Sequence, residues 1–360
     1  MKMKPLISII IPCYNTAQYL DQCFMSLEQQ TIGLESLQII LVDDASTDNG
    51  ITWKYIRAFE KRHEEQVIAI HLNENVSQGG ARNIGLLYAE ADYVGFVDSD
   101  DWLEAEMYEY LYNAINEYKC DMADCCRMEN YADGREYVHN NKNSIVDIFD
   151  KCIVDGGMHW ITDFHHQGYG EGVVTGIYKR KLIEENNIKF PEHMKFEDNF
   201  WSAINGLYIK SCYHLKNNLY HYRQHRQSTV HKRNSDFYLQ QMCIENLKID
   251  KFKELGLYDK FHAEIERDFF NIFFCNTIIK MFDKCDKPSF AIYENMIQKI
   301  RKEFPDIQKN KYLVQDKFAS MILPLIDKKI SEEQFRTIGN LMLEYCRVSK
   351  WISYNANAMY

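Results

Sequence analysis

Proline and glycine are scarce in this chain, 6 and 16 of 360 residues, which leaves little material for long disordered linkers. No internal repeat or low-complexity tract stands out. The 11 cysteines are odd in number, scattered, and contain no CxxC pair, so they read as reduced thiols of a cytosolic protein. No run reaches the roughly 18 to 20 apolar residues that a membrane span requires. The opening MKMKPLISIIIPCYN has lysines before an apolar run, but the run is short and ends at Pro12, so it reads as a buried strand and not a signal peptide. The chain is therefore expected to be soluble, or at most peripheral on the cytoplasmic face of a membrane. A basic excess is missing too. The net charge is -10, and from Asp236 onward 19 Lys and Arg meet 18 Asp and Glu, so the acidity belongs to the first part of the chain. A nucleic-acid clamp would carry the opposite sign, and no nucleic-acid partner is expected.

What is present is material for a core: 24 Tyr, 20 Phe and 5 Trp. The length suggests two folding units. Apolar runs at Ile7–Ile11, Leu37–Val42, Val67–Leu72 and Tyr93–Val97 alternate with amphipathic stretches at Ala17–Gln30, Thr52–His63, Gly80–Ala89 and Glu104–Tyr118. That alternation predicts an α/β fold with a mostly parallel central sheet and helices on both faces. Runs such as ISIII and QIILV suit strands buried on both sides. Beyond Asp121 the pattern loosens, and Glu129–Asn143 and His159–Gly172 read as loops over the rim. From Asp236 the sequence reads as helices to the end, giving expected domains 1–235 and 236–360.

In an open parallel sheet, ligands bind at the carboxyl ends of the strands. Three polar clusters follow the strands: Pro12-Cys13-Tyr14-Asn15, Asp43-Asp44-Ala45-Ser46 and Asp98-Ser99-Asp100-Asp101. In an extended chain Asp98 and Asp100 would share a face, with Ser99 pointing elsewhere. Oxygen-only ligation there suits Mg²⁺ or Mn²⁺. The alternative is a solvated acidic loop in which Asp101 caps the next helix. Gly79, Gly80 and Gly85 surround Arg82, but no GK[ST] ending and no GxGxxG after the first strand are present, which argues against a Walker NTPase or a dinucleotide enzyme.

Taken in order, SIIIPCYN, ILVDDASTD, NVSQGGARNIG, FVDSDD and FEDNFW, the last followed by YHYRQHRQS, resemble the inverting glycosyltransferases of family 2, which have the GT-A nucleotide-binding fold. The resemblance spans roughly residues 6 to 230 and implies a role for each cluster. Pro12 and Tyr14 would line the nucleotide site, with the tyrosine ring stacked on the base. Asp44 resembles the aspartate that accepts from the uracil imide, and a carboxylate there favours uracil over cytosine. Asp43 would serve packing or the ribose. The same segment also reads as a helix start capped by Ser46 or Asp48. Arg82 would contact the nucleotide or the aspartates. Asp98 and Asp100 resemble the DxD metal motif, with Ser99 at the donor, and imply Mn²⁺ or Mg²⁺ as cofactor. Glu197 and Asp198 resemble the catalytic ED pair, with Asp198 as general base; the alternative is a helix N-terminus that favours negative charge. Arg223 and Arg226 would close over the diphosphate, with His225 as a further metal ligand. His165 and His166 fit an acceptor loop better than a metal site.

No QxxRW follows, which departs from the processive synthases of that family. The expected reaction is a single transfer from a nucleotide-sugar donor, UDP-linked by the Asp44 argument, to a hydroxyl of a glycan or lipid-linked acceptor in surface polysaccharide assembly. Two other readings stand beside it: a nucleotidyltransferase of similar sheet, and an inactive nucleotide-binding scaffold. The helical end is assigned to dimerisation, membrane contact or acceptor binding.

Overall fold

The computed structural model describes residues 4–138, 173–224 and 237–349. The chain divides into two compact units, one from the described residues up to 224 and one from residues 237–349.

The first unit begins with β1 (Ile7–Cys13), α1 (Ala17–Glu28), β2 (Leu37–Asp43), α2 (Ile51–Arg62), β3 (Val67–His71), α3 (Ser77–Leu87) and β4 (Tyr93–Phe96). It continues with β5 (Trp102–Leu103), α4 (Met107–Glu117), β6 (Met122–Tyr131), β7 (Glu136–Val138), β8 (Gly176–Lys179), α5 (Arg180–Glu185), α6 (Glu197–Gly206) and β9 (Cys212–Gln224). The strands form one sheet in the order β3-β2-β1-β4-β8-β6-β9-β5, with β7 beside β6. β1 pairs in parallel with β2 and β4, and β2 with β3. β8 is antiparallel to β4 and β6, and the long β6–β9 pair is parallel again. Every residue of β1 and β2 is buried, as their continuous apolar runs require. Pro12 is tolerated because its nitrogen faces the β4 side, where the ladder has already ended at Ile10 opposite Phe96.

α3 begins at Ser77, three residues before the expected start, because the glycines there serve packing. A Cβ on Gly85 would lie 2.3 Å from Ile10 Cγ2, so the bare backbone lets α3 lie directly on β1. Gly85→Ala should therefore destabilise the fold by about 1–3 kcal/mol through overpacking, read as a lower midpoint in urea unfolding.

The expectation of loops from Glu129 onward needs correction. β6 runs through Tyr131 and pairs with the 13-residue β9. Alternation is hidden in β6 because Asp124, Arg127 and Glu129 are buried in it, so neither face looks apolar.

The second unit is helical throughout its described residues: α7 (Phe237–Glu254), α8 (His262–Phe269), α9 (Thr277–Lys284), α10 (Phe290–Glu303), α11 (Lys311–Gln315), α12 (Ala319–Ile322) and α13 (Glu332–Ser349), with short 3₁₀ turns between. α8 runs into α9 through a π-helical segment, Phe270–Asn276. The aromatic stripe there is core: Phe270, Phe273 and Phe274 are fully buried, and Phe269 stacks on Phe273 at 4.2 Å. No helix among the described residues is long and apolar enough to cross a membrane.

Candidate active site

The carboxyl ends of β1, β2 and β4 meet on one rim, and short polar bonds lace their loops together. After β1, Asn15 adopts φ 55° and its amide donates to Thr47 Oγ1 at 3.1 Å, while Thr47 N–H returns a bond to Asn15 Oδ1 at 2.8 Å. Tyr14 beside it is 44% exposed, free of the core and open to a planar partner. After β2, Asp43 is fully buried; it accepts from Ser46 N–H at 3.2 Å and pairs with His71 at 2.7 Å. Asp44 turns to α3, where Oδ1 accepts from Val76 N–H at 2.7 Å and the carboxylate also takes the Ser77 N–H. Burial raises its pKa and those two N–H bonds oppose the rise. Asp48 closes the first turn of α2 by accepting from Thr52 N–H and Oγ–H.

The acidic cluster after β4 is a turn, not an extended strand: Asp98 O accepts from Asp101 N–H at 3.0 Å. The alternation argument for Asp98 and Asp100 does not hold across it. Asp101 does not cap α4 either. It is fully buried, and its oxygens accept from Tyr220 OH and Arg223 N–H, both at 2.7 Å. Tyr220 OH also accepts from Asp98 N–H at 3.2 Å, so one buried phenol holds both ends of the turn. Ser99 is buried and bonded to the Cys13 thiol. Arg223 lies between the Tyr19 and Trp102 rings, donating from Nε to Asp100 O and from Nη2 to Gln22 Oε1, each at 2.6 Å. Its guanidinium thus braces the backbone of the turn.

Arg82 joins this turn to α6. Only 2% exposed, it donates from Nη2 to Asp98 Oδ1 at 2.8 Å and from Nη1 to Glu197 Oε1 at 2.7 Å, with its guanidinium over the Phe190 ring. Gln78 adds a third donor, to Asp98 Oδ1 at 2.6 Å. α6 reaches Arg82 because the preceding segment is pinned on α3: Asn83 bonds both the C=O and the N–H of Phe190 at 2.9 Å, and Phe190 stacks on buried Trp201. A Cβ on Gly79 would lie 2.3 Å from Pro191 O, so only glycine permits that approach. Phe196 enters α6 at φ 64°, and Ala45, Ser77 and His193 are also left-handed, so strained backbone gathers on this rim.

Burial pushes the Glu197 carboxyl up to about 7, against the pull of Arg82 and with added repulsion from Asp198 and Asp98. Unfolded, the group would release its proton near the ordinary 4.5, so the folded chain retains a proton that the unfolded chain loses. Stability contributed by this site should accordingly fall as pH rises from about 4.5 to about 7 and then level off. Denaturant melts of the metal-free protein at pH 5 and pH 8 should show that fall in the parent chain and a flatter response in Glu197→Gln.

Beyond the expected site residues, Tyr220, Asn83 and Gln78 do much of the positioning, and Asp101, expected as a helix cap, anchors the turn instead. Asn83 and Gln78 lie inside NVSQGGARNIG, and Tyr220 inside YHYRQHRQS, but no spacing rule connects them with Asp98. The expected metal ligand His225, the expected donor contact Arg226 and the acceptor-loop His165 and His166 lie outside the described residues.

The acidic turn suits a hard cation. Asp98 and Asp101 are raised by burial first and by the charge of Asp100 beside them, and Asp98 also feels Asp198. Carboxylates that repel one another at a strand end, with Arg82 as the buried cation among them, form an oxygen donor set of the kind that Mg²⁺ or Mn²⁺ takes. No cluster of three His, Cys, Asp or Glu ligands forms among the described residues. Asp98 and Asp100, the expected ligand pair, both belong to this turn.

A family model described as glycosyl transferase family 2 matches residues 8–185. Residues 8–185 of the chain belong to that family. The matched segment of this family 2 chain contains Arg82 and the acidic turn and stops before Glu197 and Asp198. EpsH of Bacillus subtilis (strain 168) is 29% identical over 283 residues, 72% of this chain and 76% of EpsH. TarS of Staphylococcus aureus, a poly(ribitol-phosphate) beta-N-acetylglucosaminyltransferase, is 25% identical over 250 residues, 68% of this chain and 41% of TarS. The crystal structure of TarS 1–349 with UDP-GlcNAc superposes with a TM-score of 0.65 at 20% identity, covering 96% of this chain and 92% of that one. A Pyrobaculum calidifontis mannosyltransferase solved with GDP-Man and Mn²⁺ gives 0.51 at 12% identity, covering 99% and 86%. These likenesses establish the GT-A fold of this family 2 glycosyltransferase.

Proposed function

We propose that the chain catalyses single, inverting transfer of a sugar from a nucleoside-diphosphate donor, preferentially UDP-linked, to a hydroxyl of a cell-surface glycan or lipid-linked acceptor. The observation that carries this reading is the Arg82 bridge. One buried guanidinium binds Asp98 of the acidic turn and Glu197 next to Asp198, so the expected donor end and the expected base share one ion-pair network. Residues 1–235 form the catalytic domain in this reading, and residues 236–360 a helical domain that serves the acceptor or a second copy.

In this reading Tyr14 stacks on the base, and Asp44 fixes the start of α3 while offering its remaining acceptor capacity to the uracil imide. Pro12 and Ser99 shape the floor beneath the donor. Asp98 and Asp100 hold the divalent cation, which when bound neutralises the diphosphate and stabilises charge on the leaving nucleotide. Asp198 takes the proton of the acceptor hydroxyl while that oxygen bonds to the anomeric carbon, and the bond from that carbon to the diphosphate oxygen breaks on the opposite face. One displacement inverts the configuration. Arg82 and Glu197 orient the base, Arg223 braces the turn, and Arg226 and His225 are assigned to the diphosphate and the cation. The printed name of TarS, with its poly(ribitol-phosphate) acceptor, supports a cell-surface acceptor here.

Calorimetry with UDP, GDP and dTDP, with and without Mn²⁺, tests the donor half. UDP binding that requires both Mn²⁺ and Asp100, lost in Asp100→Ala, is expected. Binding indifferent to both would remove the acidic turn from the donor site.

A further inference from the structure

Away from the rim, β6 and β9 bury a second constellation of reactive groups. Asp124 and His214 are partners in the β6–β9 register, and His214 Nδ1 lies 2.9 Å from Asp124 Oδ1. On its other side, His214 Nε2 lies 3.5 Å from the Sγ of Cys126. This is a carboxylate–imidazole–thiol relay: the acid orients the ring and the ring faces a nucleophile. All three are nearly buried, at 1%, 6% and 4% exposure, and the proposed transfer does not use them. Burial opposes charge on His214, but Asp124 more than offsets it and pushes the imidazole up to about 11, so the ring is a donor on both nitrogens.

The backbone supports access. The β6–β9 register slips on both sides of Cys126, where Leu215 and Asn218 of β9 flank exposed Lys216 and Asn217. Such a bulge interrupts the ladder beside Cys126, next to the solvent-exposed Lys216 and Asn217.

We propose that Cys126, activated by the Asp124-bound His214, is a thiol reactive toward hydroperoxides. In the step, Cys126 gives its S–H proton to His214 Nε2, Sγ of the resulting thiolate bonds to one peroxide oxygen as the O–O bond breaks, and the sulfur is oxidised by two electrons to a sulfenic acid. The departing hydroxide takes the Nε2 proton of His214 and leaves as water. The added oxygen must fit where sulfur and nitrogen now stand 3.5 Å apart, which forces the two strands to adjust. β9 further along carries Tyr220 and Arg223, the side chains that hold the acidic turn. Oxidation should thus weaken transfer reversibly; that consequence rests on the proposed function, whereas the modification itself does not.

Brief treatment of the folded protein with hydrogen peroxide, quenched with catalase and followed by unfolding in dimedone and peptide mass spectrometry, tests the modification directly. Cys126 should be oxidised at least about tenfold faster than Cys243, the exposed cysteine, while the bulkier N-ethylmaleimide marks Cys243 first. His214→Gln should bring the Cys126 rate down to that of Cys243. Oxidation of Cys243 before Cys126, oxidation of Cys126 only when peroxide is added in denaturant, or an unchanged rate in His214→Gln would each overturn the proposal; the first two are read on the parent chain, so a poorly folding variant does not protect it. For the consequence, peroxide should abolish nucleotide-sugar turnover in the parent chain, dithiothreitol should restore it, and Cys126→Ser should keep its activity throughout. If no sugar transfer can be measured at all, the trapping result still stands or falls alone.

Discussion

Asp198→Asn should lower kcat by about 10²- to 10⁴-fold, the range ascribed to a positioned general base. The fold should not change. The Asp198 carboxylate accepts from the neighbouring Asn199 N–H at 3.0 Å in the first turn of α6, and an asparagine oxygen can take the same bond. The variant should also bind UDP as the parent does, because Asp98 and Asp100 are untouched. Activity, melting temperature and UDP affinity therefore separate the roles: a loss confined to kcat marks Asp198 as the base. Unchanged turnover would remove it from that role and leave the ED pair as a helix start that attracts negative charge.

Arg82→Ala should cost more in stability than any other single change at the site. Removing one partner of a buried ion pair typically costs about 3–5 kcal/mol, because the charges left behind have no compensation. Here two carboxylates are left behind, Asp98 and Glu197, and the side chain that joins them is only 3% exposed. Arg82→Lys should recover little, since an ammonium lacks the guanidinium's rigid fork of donors, which reaches two carboxylates from over the Phe190 ring. Glu197→Gln placed on top of Arg82→Ala should restore little at neutral pH and more as pH rises, because without Arg82 the Glu197 carboxyl holds its proton more tightly still. Denaturant unfolding of the three variants measures this. A drop below about 1 kcal/mol in Arg82→Ala would show that the network is solvated and loose, as exposed ion pairs are.

Much of the first unit was legible because its physics is local. β1, β2, β3 and β4 announce themselves as apolar runs, and a parallel sheet buried on both faces has no other way to be written. The rim followed from them, since polar clusters directly after such strands have one place to go. β6 was illegible for the opposite reason. Its buried Asp124 pairs with His214 and its buried Arg127 lies over the Tyr222 ring, both on β9, and no window of neighbouring residues contains those partners.

The sequence by itself determined the fold class, the family and the set of carboxylates from which a donor site can be drawn. It did so because periodicity and motif order survive without any knowledge of contacts. Only the tertiary structure decided what each carboxylate does with its charge. Asp101 is consumed by Tyr220 and Arg223, Asp44 by the start of α3, and Asp43 by His71. Arg82 is drawn to residues 16 and 115 positions further along the chain. Hydrogen bonding and desolvation depend on which groups meet in space, and that meeting is set by the packing of α3 against β1 and the Phe190 segment, where the absent side chains of Gly85 and Gly79 let the backbones approach.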